Sequence, residues 1–226
     1  MKKVVITGAK GTIGTVLMNG LKGYYGITSA DLPETDARDY GRLLEIFPGH
    51  DDIIHLAWNL EDFRTGKAHP DNSIMFRNVY RAAVEAKVPR IIMASSVHAD
   101  EYYRWKGPGM LKPDKVPVPD SPYGADKVFM ESLGRYYAKN HGLEVVCTRF
   151  GGVRPDDRID TSEEGYEKVW LSHRDCVELI RACIDAPKIP GNFLIVYGVS
   201  NNSGRIHDYS NPLGWIPKDN SAKIKK

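Results

Sequence analysis

The chain has 226 residues, a length that fits one domain with a full hydrophobic core and leaves little room for a second. Lysine and arginine total 31 against 29 aspartates and glutamates, so the formal net charge of +2 gives no electrostatic reason to expect nucleic acid or an anionic membrane as a partner. Apolar residues at 42% and charged residues at 27% exclude a disordered chain.

The N-terminal residues and the cysteines indicate the cellular compartment in which the protein is expected. Met1-Lys2-Lys3 is followed by only three apolar residues, too few for a signal peptide, and no apolar run approaches the length of a membrane span. Cys147, Cys176 and Cys183 form no C-x-x-C pair, so we interpret them as small buried hydrophobes and predict neither disulfides nor a metal site. We expect a soluble cytoplasmic protein.

Short apolar runs rich in valine and isoleucine alternate with helical stretches along the whole chain. Runs with little polar alternation are typical of strands buried on both faces of a parallel sheet. Strand and helix repeated in this way predict an α/β fold with a doubly wound parallel sheet. The predicted strands cover residues 4–7, 26–31, 52–57, 90–95, 144–150 and 192–199, and the predicted helices cover 12–21, 40–47, 73–86, 121–141 and 173–186.

Two long loops follow the third and fourth strands, over residues 58–71 and 97–120. Loops longer than about 12–15 residues in a compact domain are usually functional or disordered. Ligands of open α/β sheets bind beyond the carboxyl ends of the strands, where these loops emerge. We therefore expect both loops to frame an active site.

A glycine-rich loop joins the first strand to the first helix. Its glycines are Gly8, Gly11 and Gly14, with Thr12 and Ile13 opening the helix. The first glycine permits a tight turn, the second lets the backbone approach a pyrophosphate, and the third lets helix pack on strand. The helix N-terminus offers free N–H groups to the phosphates. The context, first strand followed by helix, favours dinucleotide binding over an ordinary turn.

Asp31 stands at the end of the second strand, seventeen residues after Gly14. A carboxylate there accepts hydrogen bonds from the adenosine ribose hydroxyls and repels a 2′-phosphate, so the sequence favours NAD over NADP. Asp36 follows shortly and has two interpretations: a hydrogen bond to the adenine amino group, or capping of the next helix. Asp39 fits the capping role equally well.

Tyr123 and Lys127 are four residues apart in a helix that begins Ser-Pro, which places them on one helical face. A nearby ammonium lowers the pKa of a tyrosine hydroxyl, and such a tyrosine serves as a general base toward an alcohol. The fourth strand ends in Ser95 and Ser96, either of which could hold the substrate oxygen beside the tyrosine. One of the two should face the cleft and the other the interior.

These motifs together resemble an extended short-chain dehydrogenase/reductase of the NAD-dependent epimerase/dehydratase family, with a Rossmann-type sheet. The matching pieces are TGAKGTIG, SADL, TDA, DDIIHLAW, IIMASS and YGADK. The rest of the chain is similar to the uronate dehydrogenase branch, through ASSVHAD, WLSHRD and LGWIPKDN. Members of that branch use NAD to oxidise the anomeric carbon of a hexuronate to a lactone, and some aldose and sugar-phosphate dehydrogenases look similar.

The resemblance implies a role for each matching residue. Tyr123 is the base, Lys127 its partner and Ser96 the hydroxyl that positions the substrate alcohol. Val97, His98 and Gly152 fall in the sugar pocket, although a surface loop position is equally open for His98. The residues implied for NAD are Gly8, Gly11, Thr12, Ile13, Gly14, Asp31, Leu32, Asp36, Ala37, Leu56, Ala57, Trp58, Asn72, Tyr123 and Lys127.

The chain departs from the branch where the sugar binds. The segment FGGV at 150–153 stands where the branch has a serine that touches the sugar, and the branch's carboxylate-binding arginine has no clear match. Arg154 and Arg158 lie nearby but out of register. We therefore expect NAD chemistry on a small sugar, hexuronate-like or aldose-like, free or singly phosphorylated. The alternatives are a nucleotide-sugar epimerase or dehydratase that retains NAD, and a non-catalytic dinucleotide-binding protein.

The length also predicts how the chain is divided. Residues 1–150 account for the NAD-binding core, and residues 151–226 remain for the last strand, a helix, the tail and a small substrate-binding region. We expect a single domain. The resemblance further implies a homodimer through the helices at 73–86 and 121–141.

Overall fold

The computed structural model describes residues 1–224, without the side chain of Asp62. Lys225 and Lys226, the end of the predicted C-terminal region, lie outside the described residues. The strands are β1 Lys3–Thr7, β2 Gly26–Ala30, β3 Asp52–His55, β4 Arg90–Ser96, β5 Glu144–Phe150 and β6 Phe193–Gly198. The helices are α1 Thr12–Gly20, α2 Tyr40–Ile46, α3 Glu61–Thr65, α4 Pro70–Glu85, α5 Pro122–His141, α6 Tyr166–Val169 and α7 His173–Asp185.

The six strands form one parallel sheet in the order β2-β1-β3-β4-β5-β6. The chain moves outward from β1 to β2 and then crosses back to β3, so the order reverses between β1 and β3. Loops that follow two such strands diverge and leave a crevice at the carboxyl edge of the sheet. The doubly wound α/β fold predicted from the sequence is confirmed.

Helices cover both faces of the sheet because successive strand residues point to opposite sides. Ile54 of β3 belongs to the core shared with α1 and α7, whereas its neighbour Ile53 belongs to the core shared with α2, α4 and α5. Both isoleucines are fully buried. The apolar runs without polar alternation in the sequence reflect this two-sided burial.

Helix ends follow their capping residues. Ser121 caps α5, its side chain accepting from the Gly124 N–H, and α5 ends before Gly142, which has φ +68°. The sequence prediction started α4 at residue 73, but the helix begins at Pro70 because the His69 side chain accepts from the Asp71 N–H and proline fits the first turn. The short helices α3 and α6 lie in segments predicted as loop or left unassigned.

The segment after β5 returns to the sheet and also closes over its carboxyl edge. It supplies α7 and β6, and a small third core joins it to the loop after β4. Val97 and Tyr102 of that loop pack in this core with Val169 of α6 and Tyr197 of β6. Among residues 1–224, no helix is long and apolar enough to cross a membrane.

Candidate functional site

A cleft of about 900 Å³ runs along the carboxyl edge of the sheet. It is lined by the loops that follow β1, β2, β3, β4 and β5 and by the start of α5. This is the crevice that the reversal of strand order creates. Both long loops predicted from the sequence contribute residues to it.

The glycine loop forms one wall of the cleft and can be built only with glycine at two positions. Gly8 has φ +70°, and a Cβ there would lie 2.5 Å from the Ala57 nitrogen. A Cβ at Gly14 would lie 2.4 Å from the Gly8 carbonyl oxygen. Gly11 is less crowded, with that same oxygen 3.3 Å from its hypothetical Cβ. The loop is therefore packed tightly against the loop after β3, as a close backbone approach to a ligand requires.

The N-terminus of α1 faces the same cleft. The helix starts at Thr12, its N-cap residue Gly11 makes no side-chain capping bond, and no acidic residue lies in its first turn. Thr12, Ile13 and Gly14 all line the cleft. Free N–H groups at the positive end of a helix suit a pyrophosphate, so this cradle fits the phosphates of a dinucleotide.

Asp31 lies beside the glycine loop, where the sequence predicted a ribose-binding carboxylate. Its Oδ2 accepts from the Lys10 N–H and its Oδ1 from the Leu32 N–H, both at 2.7 Å. The Lys10 ammonium instead donates to the Leu32 carbonyl and pairs with Glu34. These bonds fix the carboxylate at the cleft, and each oxygen keeps a lone pair for a hydroxyl.

Asp36 does not cap the following helix, because Asp39 does so by accepting from the Arg42 N–H at 3.0 Å. The Asp36 carboxylate is held by the Arg38 guanidinium, which lowers the pKa of Asp36. Arg38 also donates to Asp71 at 2.8 Å. Asp36 lines the cleft next to buried Ala37, so the capping interpretation is wrong and the adenine interpretation stays a prediction.

The loop after β3 brings Leu56, Ala57 and Trp58 to the cleft. Asn72, which the resemblance implies for NAD, is fully buried beside this loop and is not among the residues that line the cleft, so its role stays a prediction. Its amide oxygen accepts from the Asn59 N–H at 2.7 Å, and its amide nitrogen donates to the Asn59 carbonyl at 3.0 Å. Asn72 thus fixes the loop that carries Trp58.

Tyr123 and Lys127 reach the cleft from the first turns of α5. The Lys127 Nζ donates to the Ala94 carbonyl at 2.6 Å and lies 5.4 Å from the centre of the Tyr123 ring. It also lies 3.4 Å from the centre of the Trp58 ring, a cation–π distance. The structure brings the predicted pair together and ties Lys127 to the end of β4.

The two serines at the end of β4 have opposite surroundings. The Ser95 hydroxyl donates to Glu131 at 2.6 Å in the interior, whereas the Ser96 hydroxyl accepts from the His98 N–H at 3.2 Å. Glu131 also receives two bonds from Arg149, both at 2.8 Å, and Arg149 is fully buried. This buried cluster joins α5, β4 and β5 and engages the Ser95 hydroxyl, so Ser96 stays the predicted substrate-positioning hydroxyl.

His98 lies in the cleft, with its Nδ1 2.8 Å from the Asp120 carboxylate. Its ring stacks on Tyr102, with centroids 4.2 Å apart, and meets Tyr123 edge-on at 5.8 Å. Burial opposes ionisation of Asp120, but the hydrogen bonds with His98 and Ser121, together with the charges of His98 and Arg104, outweigh burial and lower the pKa of Asp120. His98 therefore lies in the pocket and not on a surface loop, and Val97 lines the cleft beside it.

Gly152 lines the cleft from the segment after β5. Its N–H donates to the Val169 carbonyl and its carbonyl accepts from the Leu171 N–H. A Cβ at this position would lie 2.3 Å from the Tyr166 ring, so that ring packs directly on the glycine. Arg154, Asp160, Glu163 and Tyr166 follow on the same side of the cleft.

Several of these residues were missed by sequence reasoning. Asp120 precedes the capping serine of α5, and the motif DSP gives no hint that its carboxylate reaches back 22 residues to His98. Glu163 and Tyr166 lie in a polar segment without periodicity. Arg149 and Glu131 are charged residues inside an apolar strand and on a buried helix face, a combination that does signal a buried pair.

Comparison with known proteins gives a matching family model. The model of the NAD dependent epimerase/dehydratase family matches residues 4–154, two thirds of the chain. The match runs from β1 through β5 and ends just past the Gly152 segment. It therefore includes the glycine loop, Asp31, Ser96, Tyr123 and Lys127.

Individual relatives extend the similarity over the whole chain. L-arabinose 1-dehydrogenase (NAD(P)(+)) from Haloferax volcanii is 33% identical, covering 99% of both chains. Uronate dehydrogenase from Agrobacterium fabrum is 32% identical over 100% of this chain and 88% of its own. A crystal structure of a uronate dehydrogenase variant from Agrobacterium tumefaciens complexed with NAD has a TM-score of 0.83 and 31% identity, covering 98% of this chain and 86% of that one.

Proposed function

The chain belongs to the NAD dependent epimerase/dehydratase family, and from this premise we propose that it is an NAD-dependent oxidoreductase that oxidises a hydroxyl of a small sugar. The proposal is based on one observation: Ser96, Tyr123 and Lys127 line the same cleft as the glycine loop. The full-length relatives are named as sugar dehydrogenases, which supports the same reaction class. The name L-arabinose 1-dehydrogenase favours oxidation at the anomeric carbon, and a cyclic sugar oxidised there gives a lactone.

In the proposed mechanism Tyr123 takes the proton of the substrate hydroxyl as the C–O bond becomes a carbonyl. Ser96 donates a hydrogen bond to the same oxygen and holds it beside the phenol. The glycine loop, the N-terminus of α1 and Asp31 would hold NAD, which would supply the acceptor for the hydride that leaves the carbon. Lys127, fixed on the Ala94 carbonyl, favours the ionised tyrosine and would hydrogen-bond the nicotinamide ribose.

The proposed NAD site consists of the cleft residues implied by the resemblance, with Asp36 and Ala37 toward the adenine. The sugar site consists of Ser96, Val97, His98 and Gly152. Asn72 acts in this proposal through the loop that it fixes. Residues 1–150 form the NAD-binding core and 151–226 the small substrate region of one domain. With its three cysteines buried as free thiols, we place the protein in the cytoplasm.

The test is NADH formation by the purified protein with NAD and a panel of sugars. Tyr123→Phe should lower turnover about 1000-fold, within the range of general-base catalysis, and leave NAD affinity unchanged. Tyr24→Phe is the control, because Tyr24 lies outside the cleft with 54% of its surface exposed. Turnover of Tyr123→Phe at the wild-type rate would refute the mechanism.

The same assay separates the alternatives. An epimerase or dehydratase regenerates its NAD within each cycle, so it would convert a nucleotide sugar without net NADH. A non-catalytic protein would bind NAD and turn over no sugar.

We also infer a homodimer through α4 and α5. These helices pack on each other and leave Ile74, Phe129 and Tyr136 exposed at 43%, 39% and 52%. Apolar side chains exposed together are typical of interfaces. Light scattering should give twice the 25.3 kDa chain mass, and Phe129→Glu should give the monomer.

A further inference from the structure

The sugar end of the cleft is bounded by four residues of the segment after β5. We call this group the distal wall: Arg154, Asp160, Glu163 and Tyr166. It is joined to the proposed base by a chain of contacts. Tyr123 meets the edge of His98 at 5.8 Å, His98 stacks on Tyr102 at 4.2 Å, and the Tyr102 hydroxyl donates to Glu163. The wall is thus connected to the proposed base through His98 and Tyr102.

The one cation of the distal wall already has anionic partners. Arg154 pairs through Nη1 with Asp160, and its Nε lies 3.5 Å from an Asp156 carboxylate oxygen. Asp160 is held ionised, since Ser162 donates to it through both its N–H and its hydroxyl and lowers its pKa. The positive charge that Arg154 offers to a substrate carboxylate is therefore already offset by Asp160 and Asp156.

Glu163, the second carboxylate of the wall, differs from Asp160, because no cation balances its charge within residues 1–224. Its recorded bond is with the neutral Tyr102 hydroxyl, and among residues 1–224 no lysine, arginine or histidine forms an ion pair with it. The wall therefore carries one more negative charge than positive. Elsewhere in the cleft, the His98 imidazole contacts the Asp120 carboxylate, and Arg64 is exposed to water, which screens its charge.

We infer, on the basis of the proposed function, that the substrate is a neutral aldose and that Asp160 and Glu163 exclude uronates and sugar phosphates. Carboxylates accept hydrogen bonds from sugar hydroxyls but repel an anionic group at the same place. Like-charge juxtaposition is a common way in which a site rejects the wrong partner. The named uronate dehydrogenase relatives would then differ from this chain in the charge at this wall.

The test compares sugars that differ only at the distal carbon. NADH formation is measured with D-galactose against D-galacturonate, and with D-glucose against D-glucuronate and D-glucose 6-phosphate. The neutral member should have a kcat/KM about tenfold or more above its acid, which corresponds to one unfavourable charge contact in a partly screened site. A higher kcat/KM for the acid or the phosphate would overturn the inference while leaving the proposed dehydrogenase intact.

Substitutions in the distal wall test whether its carboxylates cause the preference for neutral sugars. Asp160→Asn and Glu163→Gln should each raise the acid-to-neutral ratio of kcat/KM about threefold to tenfold, with NAD affinity unchanged. Glu164→Gln removes the same charge one residue away, outside the cleft lining, and should leave the ratio as in the wild type. Equal ratios in all three variants would overturn the assignment. Absence of NADH with every sugar would instead refute the proposed function and this inference with it.

Discussion

His98 and Asp120 form a 2.8 Å hydrogen bond that joins the two ends of the long loop after β4. The bond is reinforced by the backbone, since the Asp120 N–H donates to the His98 carbonyl at 3.2 Å. A neutral imidazole that donates through Nδ1 to a carboxylate has Nε2 as an acceptor. Asp120 therefore fixes both the ring position and the tautomer of a residue that touches the proposed base.

Asp120→Asn should impair use of the sugar without affecting NAD. An asparagine can present its amide N–H to Nδ1, which favours the opposite tautomer and turns Nε2 into a donor. We expect kcat/KM for the sugar to fall about tenfold or more and the Kd of NAD to stay unchanged. Asp114→Asn in the same loop, where the carboxylate is exposed, is the control. Unchanged kinetics in Asp120→Asn would contradict a positioning role.

How much of this site the sequence predicts depends on how far apart in the sequence the interacting residues are. The strands and the capped helix α5 follow from local patterns, apolar runs and Ser-Pro, and the structure has them within one or two residues. The choice between Ser95 and Ser96 requires knowing which face of β4 packs against Glu131, and that is set by tertiary packing. The His98–Asp120 and Tyr102–Glu163 contacts join residues 22 and 61 apart, so no local pattern reveals them.

Asp31 should determine the choice of dinucleotide. Its carboxylate lies beside the glycine loop, where it accepts ribose hydroxyls and repels a 2′-phosphate. Asp31→Asn keeps an oxygen acceptor for the Lys10 N–H and removes the charge, so kcat/KM with NAD should fall about tenfold and the NAD-to-NADP preference should shrink. The assay is kcat/KM for both dinucleotides with one sugar. Glu45→Gln, at an exposed carboxylate outside the cleft, should leave the preference intact, and an unchanged preference in Asp31→Asn would refute the assignment.

The two glycines Gly11 and Gly14 should respond differently to alanine. At Gly14 a methyl group would meet the Gly8 and Ala9 backbone at 2.4 and 2.5 Å, which nothing flexible can relieve. We expect Gly14→Ala to lower the free energy of unfolding by about 1–3 kcal/mol and to abolish detectable NAD binding. Gly11 has φ −71° and a 3.3 Å contact, so Gly11→Ala should keep the wild-type Tm and weaken NAD binding alone. Thermal melts with and without NAD distinguish the two, and equal Tm values would contradict the packing argument.

Asp52 should destabilise the protein at neutral pH. It is 1% exposed at the start of β3, with Lys2 at 3.6 Å and Arg90 at 3.9 Å, and burial raises its pKa to about 6 from 3.8. The folded state therefore binds more protons than the unfolded state between about pH 4 and 6, and stability falls as the pH rises through that window. Above it the full cost applies, about 3 kcal/mol at 1.36 kcal/mol per pKa unit.

Asp52→Asn removes that cost and leaves Arg90 paired with Glu144 at 2.6 Å. We expect the variant to be more stable than wild type by about 2 kcal/mol at pH 8, a rise in Tm of about 5 °C for a chain of this size. The difference should shrink toward zero near pH 4, where the wild-type carboxyl is protonated in the folded state. Denaturant unfolding across pH 4–8 measures it, with Asp114→Asn as the exposed control. A variant less stable than wild type at pH 8 would mean that the attraction of Lys2 and Arg90 for the Asp52 carboxylate outweighs the cost of burying its charge.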